Sequence, residues 1–124
     1  MIEHYKDGTT CECYAMLRNY YPDSRSLMWE LPYDHENTGR VYIERQYNRD
    51  GYLERKIPYI NGKIHGKMIV YHENGVAYQE TCYIKDRKTG IEKVYLRNGL
   101  LCSMRMYCRD RLLENVKYPA ENFA

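Results

Sequence analysis

Short runs of alternating apolar and polar residues, separated by turn residues, make up most of this chain. The runs are rich in Tyr, Val, Ile and Leu, and their alternation is typical of β-strands with one better-buried face. Three pairs of turn residues lie between such runs, namely Asp50-Gly51, Asn74-Gly75 and Asn98-Gly99. Such pairs readily adopt the positive φ of tight turns. The pattern therefore predicts three β-hairpins.

The hairpins recur with a period of 24 residues. The residues that repeat at this spacing are Tyr47, Tyr71 and Tyr95, then Gly51, Gly75 and Gly99, then Tyr59, Tyr83 and Tyr107, and finally Gly66 and Gly90. A shift of 26 residues also places Tyr21 on Tyr47, with Arg25 in place of the turn glycine. Because terminal units of repeat arrays are often atypical, the earlier segment is predicted to be a degraded fourth copy.

A second break in each unit, at Asn61-Gly62 or along residues 85–90, returns the chain for the next hairpin. The sequence thus predicts an all-β fold: an antiparallel meander of tandem hairpin repeats, forming an elongated twisted sheet of roughly eight to ten strands. A helical solenoid is disfavoured, since the runs between turn residues are too short for stable helices. We expect one repeat domain over residues 1–124, with a degenerate N-terminal unit (1–38), three clean units (39–113) and a C-terminal cap or tail (114–124).

Alternation within the second strand of each hairpin assigns the two faces of the sheet. The row predicted to be better buried contains Leu53, Ile57, Tyr59, Ala77, Thr81, Tyr83, Leu101, Arg105 and Tyr107. The opposite row becomes apolar toward the C-terminus, where it contains Leu100, Cys102, Met104, Met106 and Cys108. An apolar row of this kind is either covered by the segment 118–124 or offered to a partner.

The aligned units follow the pattern G-x-x-x-x-Y-x-x-N-G-x-L-x-x-x-x-x-Y. The residues that carry it are Gly66, Tyr71, Asn74, Gly75, Glu80 and Tyr83, followed by Gly90, Tyr95, Asn98, Gly99, Leu101 and Tyr107. Over residues 39–113 the chain resembles the MORN-variant repeat, which is found in YwqK-type antitoxin proteins. Val41, Met68 and Glu92 stand where that family usually has an aromatic residue. The resemblance implies a binding protein.

Composition narrows the class of protein. The 19 Lys and Arg residues nearly balance 17 Asp and Glu, so the net charge of +2 gives no strong field for nucleic acid or anionic lipid. Fifteen tyrosines, against one Phe and one Trp, suit a thin sheet with wetted edges. Five cysteines without regular spacing indicate a reducing compartment. No secretory signal or membrane span is apparent, and we therefore expect a cytoplasmic protein that does not bind membranes.

No phosphate-binding loop, nucleophile elbow or zinc-protease motif is present, and we expect neither enzymatic activity nor a cofactor. Cys11-x-Cys13 with His4 nearby offers fewer than the four ligands of a structural zinc site, and no metal is predicted. Histidines 35, 65 and 72 fall near turns without a catalytic partner. The meander predicts that Cys82 lies opposite Lys93 and two strands away from Cys102, roughly 10 Å apart and too far for a disulfide.

The residues left as candidates for partner binding are exposed aromatic, apolar and basic side chains. They are Tyr20, Tyr21, Trp29, Tyr52, Tyr78, Leu100, Met104, Met106, Arg87 and Lys88. Our leading hypothesis is a stoichiometric inhibitor of another protein, either an antitoxin or an inhibitor of a bacterial defence enzyme encoded by a phage or mobile element. Two alternatives stay open. One is nucleic-acid binding through the tyrosines and a basic cluster made of Lys85, Arg87, Lys88, Arg105, Arg109 and Arg111. The other is a structural repeat that forms homodimers through its sheet edges.

Overall fold

The computed structural model describes residues 2–13, 15–33 and 39–118. Within these ranges the chain forms twelve β-strands and no helix. The strands are β1 (Ile2–His4), β2 (Thr10–Glu12), β3 (Met16–Tyr20), β4 (Leu27–Pro32), β5 (Tyr42–Tyr47), β6 (Leu53–Ile60), β7 (Lys63–Ile64), β8 (Gly66–Tyr71), β9 (Ala77–Ile84), β10 (Arg87–Tyr95), β11 (Leu101–Cys108) and β12 (Arg111–Lys117).

Ten strands, β3 to β12, form one antiparallel sheet. Nine of them are neighbours in chain order, with β8 next to β6, and the short β7 pairs only with β6. The strands β1 and β2 form a separate hairpin. The predicted antiparallel meander is confirmed. The accessible surface of 8156 Å² exceeds the roughly 7,000 Å² expected for a globular protein of this mass. This excess fits an elongated sheet that has no second layer along most of its length.

The three predicted hairpins share one turn geometry, in which only the glycine has a positive φ. At the middle hairpin, Gly75 donates its N–H to the His72 carbonyl at 3.0 Å, and His72 donates to the Val76 carbonyl at 2.8 Å. Gly75 has a φ of 86°, whereas Asn74 is not in the left-handed region. Instead, the Asn74 side chain accepts the N–H of Val76 at 3.1 Å. The turn is therefore a type I turn closed by a glycine bulge, and the prediction of positive φ holds for glycine alone.

The return connections are two-residue turns in which both residues have positive φ. Lys85 and Asp86 have φ angles of 48° and 70°, and the next return turn repeats these values. Asp86 accepts the N–H of Ile64 through its carboxylate at 2.7 Å and donates its own N–H to the Ile64 carbonyl at 2.9 Å. Asp110 makes the same pair of contacts with Lys88. Each of these turns is thereby tied to the preceding one.

The N-terminal part of the chain contains two hairpins. Between β1 and β2, Gly8 donates to the Tyr5 carbonyl at 2.9 Å and has a φ of 88°, as in the repeat turns. Between β3 and β4 the turn is one residue longer, with Tyr21 donating to the Ser26 carbonyl at 3.0 Å. The segment 1–38 therefore contributes one hairpin to the main sheet and one outside it. Residues 114–117, expected in a C-terminal cap or tail, lie in β12.

The predicted burial of the two faces is seen in part, and one predicted register is wrong. Of the row expected to be better buried, Ile57 and Thr81 are 6% and 1% exposed, while its other seven residues are partly exposed. Lys93 pairs with Glu80, two residues from the expected Cys82, because the register between β9 and β10 shifts between Lys88 and Glu92. A β-bulge of this kind cannot be read from alternation alone.

We predict that Gly75→Ala lowers the free energy of unfolding by about 1–2 kcal/mol, because an L-residue in the left-handed region is strained. Nothing lies within 4 Å of the added Cβ, so the cost is conformational. Gly75→Asn is the matched control and should lose roughly half as much, since Asn tolerates this region better. Urea titration measures both changes. Equal losses would contradict the assigned turn geometry.

Candidate binding surfaces

One row of directly paired residues crosses the whole sheet, and the chemistry of its side chains changes from one end to the other. From β3 to β12 the row consists of Arg18, Glu30, Arg45, Lys56, Ile69, Glu80, Lys93, Met104 and Val116. Directly paired residues share a face, so these side chains lie on one side, here called the first face. The row is charged over most of its length and apolar at its C-terminal end.

The N-terminal hairpin covers the first end of this row. Glu30 is fully buried. Its carboxylate accepts the backbone N–H of Lys6 at 2.6 Å, the hydroxyl of Tyr47 at 2.7 Å and Nε of Arg18 at 3.0 Å. Arg18 also donates to the carbonyl of His4 at 2.7 Å. A buried carboxylate is tolerated when it is paired and hydrogen-bonded, and here these bonds hold the hairpin against the sheet.

Arg45 extends this contact. Its Nε donates to Asp7 at 2.8 Å, and its guanidinium lies 3.8 Å from the ring centroid of Tyr5. Burial works to raise the pKa of Asp7, but the hydrogen bonds from Thr9 and Arg45 outweigh it and lower the pKa. Burial, and then the neighbouring Glu30, raise the pKa of Tyr47. The first face near β4 and β5 is therefore closed to a partner by the chain itself.

Three tyrosines use their hydroxyl groups in the same way on this face. Tyr47 donates to Glu30, Tyr95 donates to Glu80 at 2.7 Å, and Tyr118 donates to the Met104 sulfur at 3.7 Å. The bond to Glu80, followed by burial, raises the pKa of Tyr95 to about 12. Each tyrosine thus links its strand to the strand that precedes it. No hairpin covers the second and third of these pairs among the described residues.

A second buried carboxylate lies on the opposite, second face. Glu92 is 1% exposed and accepts hydrogen bonds from Thr81 at 2.8 Å, Gln79 at 2.9 Å and Arg105 at 3.1 Å. The ammonium of Lys88 is 3.4 Å from it. Burial works to raise the pKa of Glu92, but the bonds from Thr81 and Arg105 and the charge of Lys88 outweigh it and lower the pKa. Position 92 thus carries a structural carboxylate.

The C-terminal end of the first face is apolar and open. Ile91, Met104, Met106 and Val116 line a shallow groove together with Glu114. Met106 and Val116 are each 40% exposed. We call these four apolar residues the C-terminal surface. Next to it, β12 is exposed along its whole length, including Leu112 and Leu113.

The other predicted binding residues are distributed over three separate regions. Tyr20 is exposed at the end of β3, while Tyr21 donates to the carbonyl of Tyr47 at 2.6 Å and lies under Arg49. Trp29 is half-buried in a pocket beside Tyr21. The structure therefore assigns Tyr21 a packing contact, and only Tyr20 of this group is freely exposed.

The exposed Tyr52 and Tyr78 and the exposed Leu100 lie at or beside the glycine turns. Tyr78 packs edge-on against His72, with ring centroids 4.9 Å apart. Arg87 is exposed at the start of β10, whereas Lys88 lies 5.0 Å from the ring centroid of Tyr107 and is bound to Glu92. Of the predicted residues, Met104 and Met106 therefore line one groove, and Tyr21 and Trp29 line a separate pocket. Ile91 and Val116 were missed because single apolar residues at strand positions carry no signal of exposure.

Neither a metal site nor a membrane helix is found in the described ranges. No group of three or more His, Cys, Asp and Glu residues there is arranged to hold a metal ion. Cys11 pairs across its hairpin with Glu3, and all five cysteines are in the thiol form. No helix in these ranges could cross a membrane. His35 and the segment from Pro119 onward, which we considered as a cover, lie outside the described residues.

Comparison with known proteins informs the fold alone. No family model matches the chain, and no curated protein matches its sequence. The crystal structure of TarM aligns with a TM-score of 0.57 and 10% identity, over 84% of this chain and 20% of that chain. A point mutant of S. aureus TarM in complex with fondaparinux, alpha-GlcNAc-glycerol and UDP aligns equally well at 12% identity. The chain spans about a fifth of these proteins, and the similarity shows a shared sheet architecture.

We predict that Glu30→Ala lowers the free energy of unfolding by about 2–4 kcal/mol, because it leaves the buried Tyr47 hydroxyl and the Lys6 N–H without their acceptor. The hairpin β1–β2 should also lose protection from amide hydrogen exchange. Glu80→Ala is the matched control, since Glu80 occupies the same row and accepts the equivalent tyrosine but has no hairpin over it. It should cost about 1 kcal/mol. A similar loss in both variants would show that the hairpin does not depend on Glu30.

Glu92 should contribute to loss of stability in acid. A carboxylate whose pKa is lowered in the folded state stabilises the fold above its ordinary pKa of about 4.3, and this contribution disappears as the pH falls through the folded-state value. In Glu92→Gln, the free energy of unfolding should therefore change less between about pH 5 and pH 3. Urea titrations across this range measure the slope. An unchanged slope would mean that folding does not shift the pKa of Glu92.

Proposed function

We propose that this chain is a non-enzymatic binding module that recognises another protein through its C-terminal surface. The observation that supports this best is the exposure of four apolar side chains on one face, where Ile91, Met104, Met106 and Val116 lie together beside an open sheet edge. Contiguous apolar groups rimmed by polar residues are typical of protein–protein interaction sites. Methionine is common in such surfaces because its flexible side chain adapts to a partner.

The two ends of the first face support this proposal by contrast. At the N-terminal end the face is polar and carries its own cover, the β1–β2 hairpin bound by Glu30 and Arg45. At the C-terminal end the equivalent positions are apolar, and no described segment lies over them apart from the contact of Tyr118 with Met104. A partner protein bound at this end would cover the first face there, as the β1–β2 hairpin covers it at the N-terminal end.

The specific activity that we propose is stoichiometric inhibition, with the partner a toxin or a bacterial defence enzyme. The resemblance to MORN-variant repeats of antitoxin proteins supports it, and the buried carboxylates both have structural partners rather than an arrangement for catalysis. Five cysteines in the thiol form fit a cytoplasmic setting. Such an inhibitor would act by occupying a surface of its target.

Nucleic-acid binding has less support. Of the basic side chains that suggested it, Lys88 is bound to Glu92 and stacked on Tyr107, and Arg105 is also bound to Glu92. A cation that already neutralises a buried carboxylate is less available for phosphate contacts. Arg87 remains exposed, as do Lys85, Arg109 and Arg111, but the acidic Asp86 and Asp110 interrupt this group along the chain.

We predict that Met106→Glu abolishes partner binding and lowers the free energy of unfolding by less than about 1 kcal/mol. It puts a charge on a 40%-exposed position of the C-terminal surface, and that charge lies directly opposite Glu114. Val41→Glu is the matched control, an exposed apolar position outside this surface. Affinity capture from the source cell, followed by titration of the captured protein's activity, measures the effect. We expect inhibition to be complete near one equivalent with the parent chain and Val41→Glu. Equal capture by all three chains would refute the proposed surface.

A further inference from the structure

The edge strand β12 is the first strand of another hairpin unit. Tyr118 directly follows it and bonds to Met104. Tyr95, the last residue of β10, bonds in the same way to Glu80, which is 24 positions before Met104. In the preceding units the corresponding strand is paired on its far side by a second strand: β9 pairs with β8, and β11 with β10. No strand occupies the far side of β12 within the described ranges.

The backbone of β12 is oriented to accept such a strand. Tyr118 donates its N–H to the carbonyl of Cys102 at 2.8 Å, directed toward β11. Because this direction alternates along an antiparallel pair, Asn115 and Lys117 direct their N–H and C=O groups away from β11. The register with β11 is regular from Glu114 to Lys117, after the shift near Met106. The segment therefore presents unpaired hydrogen-bonding groups on a straight stretch of strand.

The opposite edge strand, β3, has a side-chain contact with the N-terminal hairpin, in which Arg18 donates to the His4 carbonyl at 2.7 Å. No strand pairs with the far side of β3 within the described ranges. The described part of β12 has neither a cover nor an internal proline. Since both features are ways in which proteins block an edge strand, β12 presents an open edge.

We propose that β12 accepts an extended segment of the partner protein by antiparallel strand addition, continuing the meander as β9 and β11 do. This inference rests on the proposed function and specifies how the partner is held. Main-chain bonds to Asn115 and Lys117 would supply affinity, and side chains of the added strand would supply specificity. The pairing of β10 with β11 defines the expected register, because Val94 pairs with Ser103 and Lys93 with Met104. Lys117 and Val116 of β12 correspond to Val94 and Lys93, so the added strand should pair with these two residues in the same way.

The side chains of β12 specify the chemistry of the added segment. On the first face, the residue opposite Val116 would extend the C-terminal surface and should be apolar. On the second face, the residue opposite Lys117 should carry a carboxylate, because opposite charges directly across a pair are stabilising. Glu114 favours a basic residue two positions further along. We therefore infer a partner segment in which a carboxylate immediately precedes an apolar residue, followed two positions later by a basic one.

The probes are two synthetic peptides with the sequence of residues 98–108 of this chain, in which both cysteines are replaced by serine. One carries Ser103→Glu and the other Ser103→Lys, so that the changed residue lies opposite Lys117 in the inferred register. Fluorescence anisotropy with the full chain measures their dissociation constants. We expect the glutamate peptide to bind about two- to five-fold more tightly than the lysine peptide. Failure of both peptides to bind, or equal affinities, would overturn the inference.

Two substitutions test the backbone pairing itself. Asn115→Pro removes an N–H that points away from β11, so the fold should survive while the affinity for the glutamate peptide falls about tenfold. Asn115→Ala keeps the N–H and should leave the affinity unchanged. Circular dichroism and thermal unfolding establish that both variants are folded. Equal binding by Asn115→Pro and the parent chain would exclude strand addition.

The same variants separate this inference from the proposed function. If Met106→Glu loses the captured partner but Asn115→Pro retains it, the surface binds a partner without strand addition, and only the inference fails. If both variants retain the partner, both proposals fail. Slow amide hydrogen exchange at Asn115 and Lys117 in the free chain would show that the edge is already occupied, by a second copy or by residues after Tyr118. That result would overturn the assignment to a separate partner.

Discussion

A sheet with one layer cannot bury its side chains between layers, and this constraint governs the rest of the structure. Among the described residues the buried set is small, and five of its members are polar or charged, including Glu30, Arg45, Thr81 and Glu92. Side chains must be shielded by neighbours on the same face, as where Tyr42 stacks on Tyr59 with ring centroids 5.3 Å apart. Polar atoms enclosed in this way require partners on adjacent strands, because water reaches them poorly. Tyrosine suits the task, since its ring covers apolar area while its hydroxyl reaches across to the preceding strand.

The two carboxylates show how this constraint is met differently on the two faces. Glu92 collects donors from β9, β10 and β11 and so ties three consecutive strands together. Glu30 collects donors from β3, β5 and the segment after β1, and so recruits a separate hairpin. Neither arrangement recurs at Met104, where the chemistry of the row becomes apolar. The first face is therefore covered by the β1–β2 hairpin near Glu30 and is exposed near Met104.

The meander could be predicted because its turn residues are local signals, and the better-buried face because alternation is regular between turns. The covering hairpin was not predicted, although Asp7-Gly8 carries the same signal as Asp50-Gly51. Its position on the sheet depends on Glu30, a charged residue between Trp29 and Leu31 that sequence alone would place in solvent. The register of Lys93 could not be predicted, since a bulge changes pairing without changing composition. Exposure of the C-terminal surface depends on which strand is last in the sheet, which is a tertiary property.

The return turns have a consequence for how such an array changes in length. Asp86 contacts Ile64, and Asp110 contacts Lys88, so each contact joins equivalent points of successive units. Gain or loss of a whole unit by gene duplication or deletion would recreate these contacts, and the strands of neighbouring units would keep the same register. An insertion of any other length would separate the aspartate from its strand. Sheet length can therefore evolve in whole-unit steps, while the covered N-terminal end and the open C-terminal edge keep their chemistry.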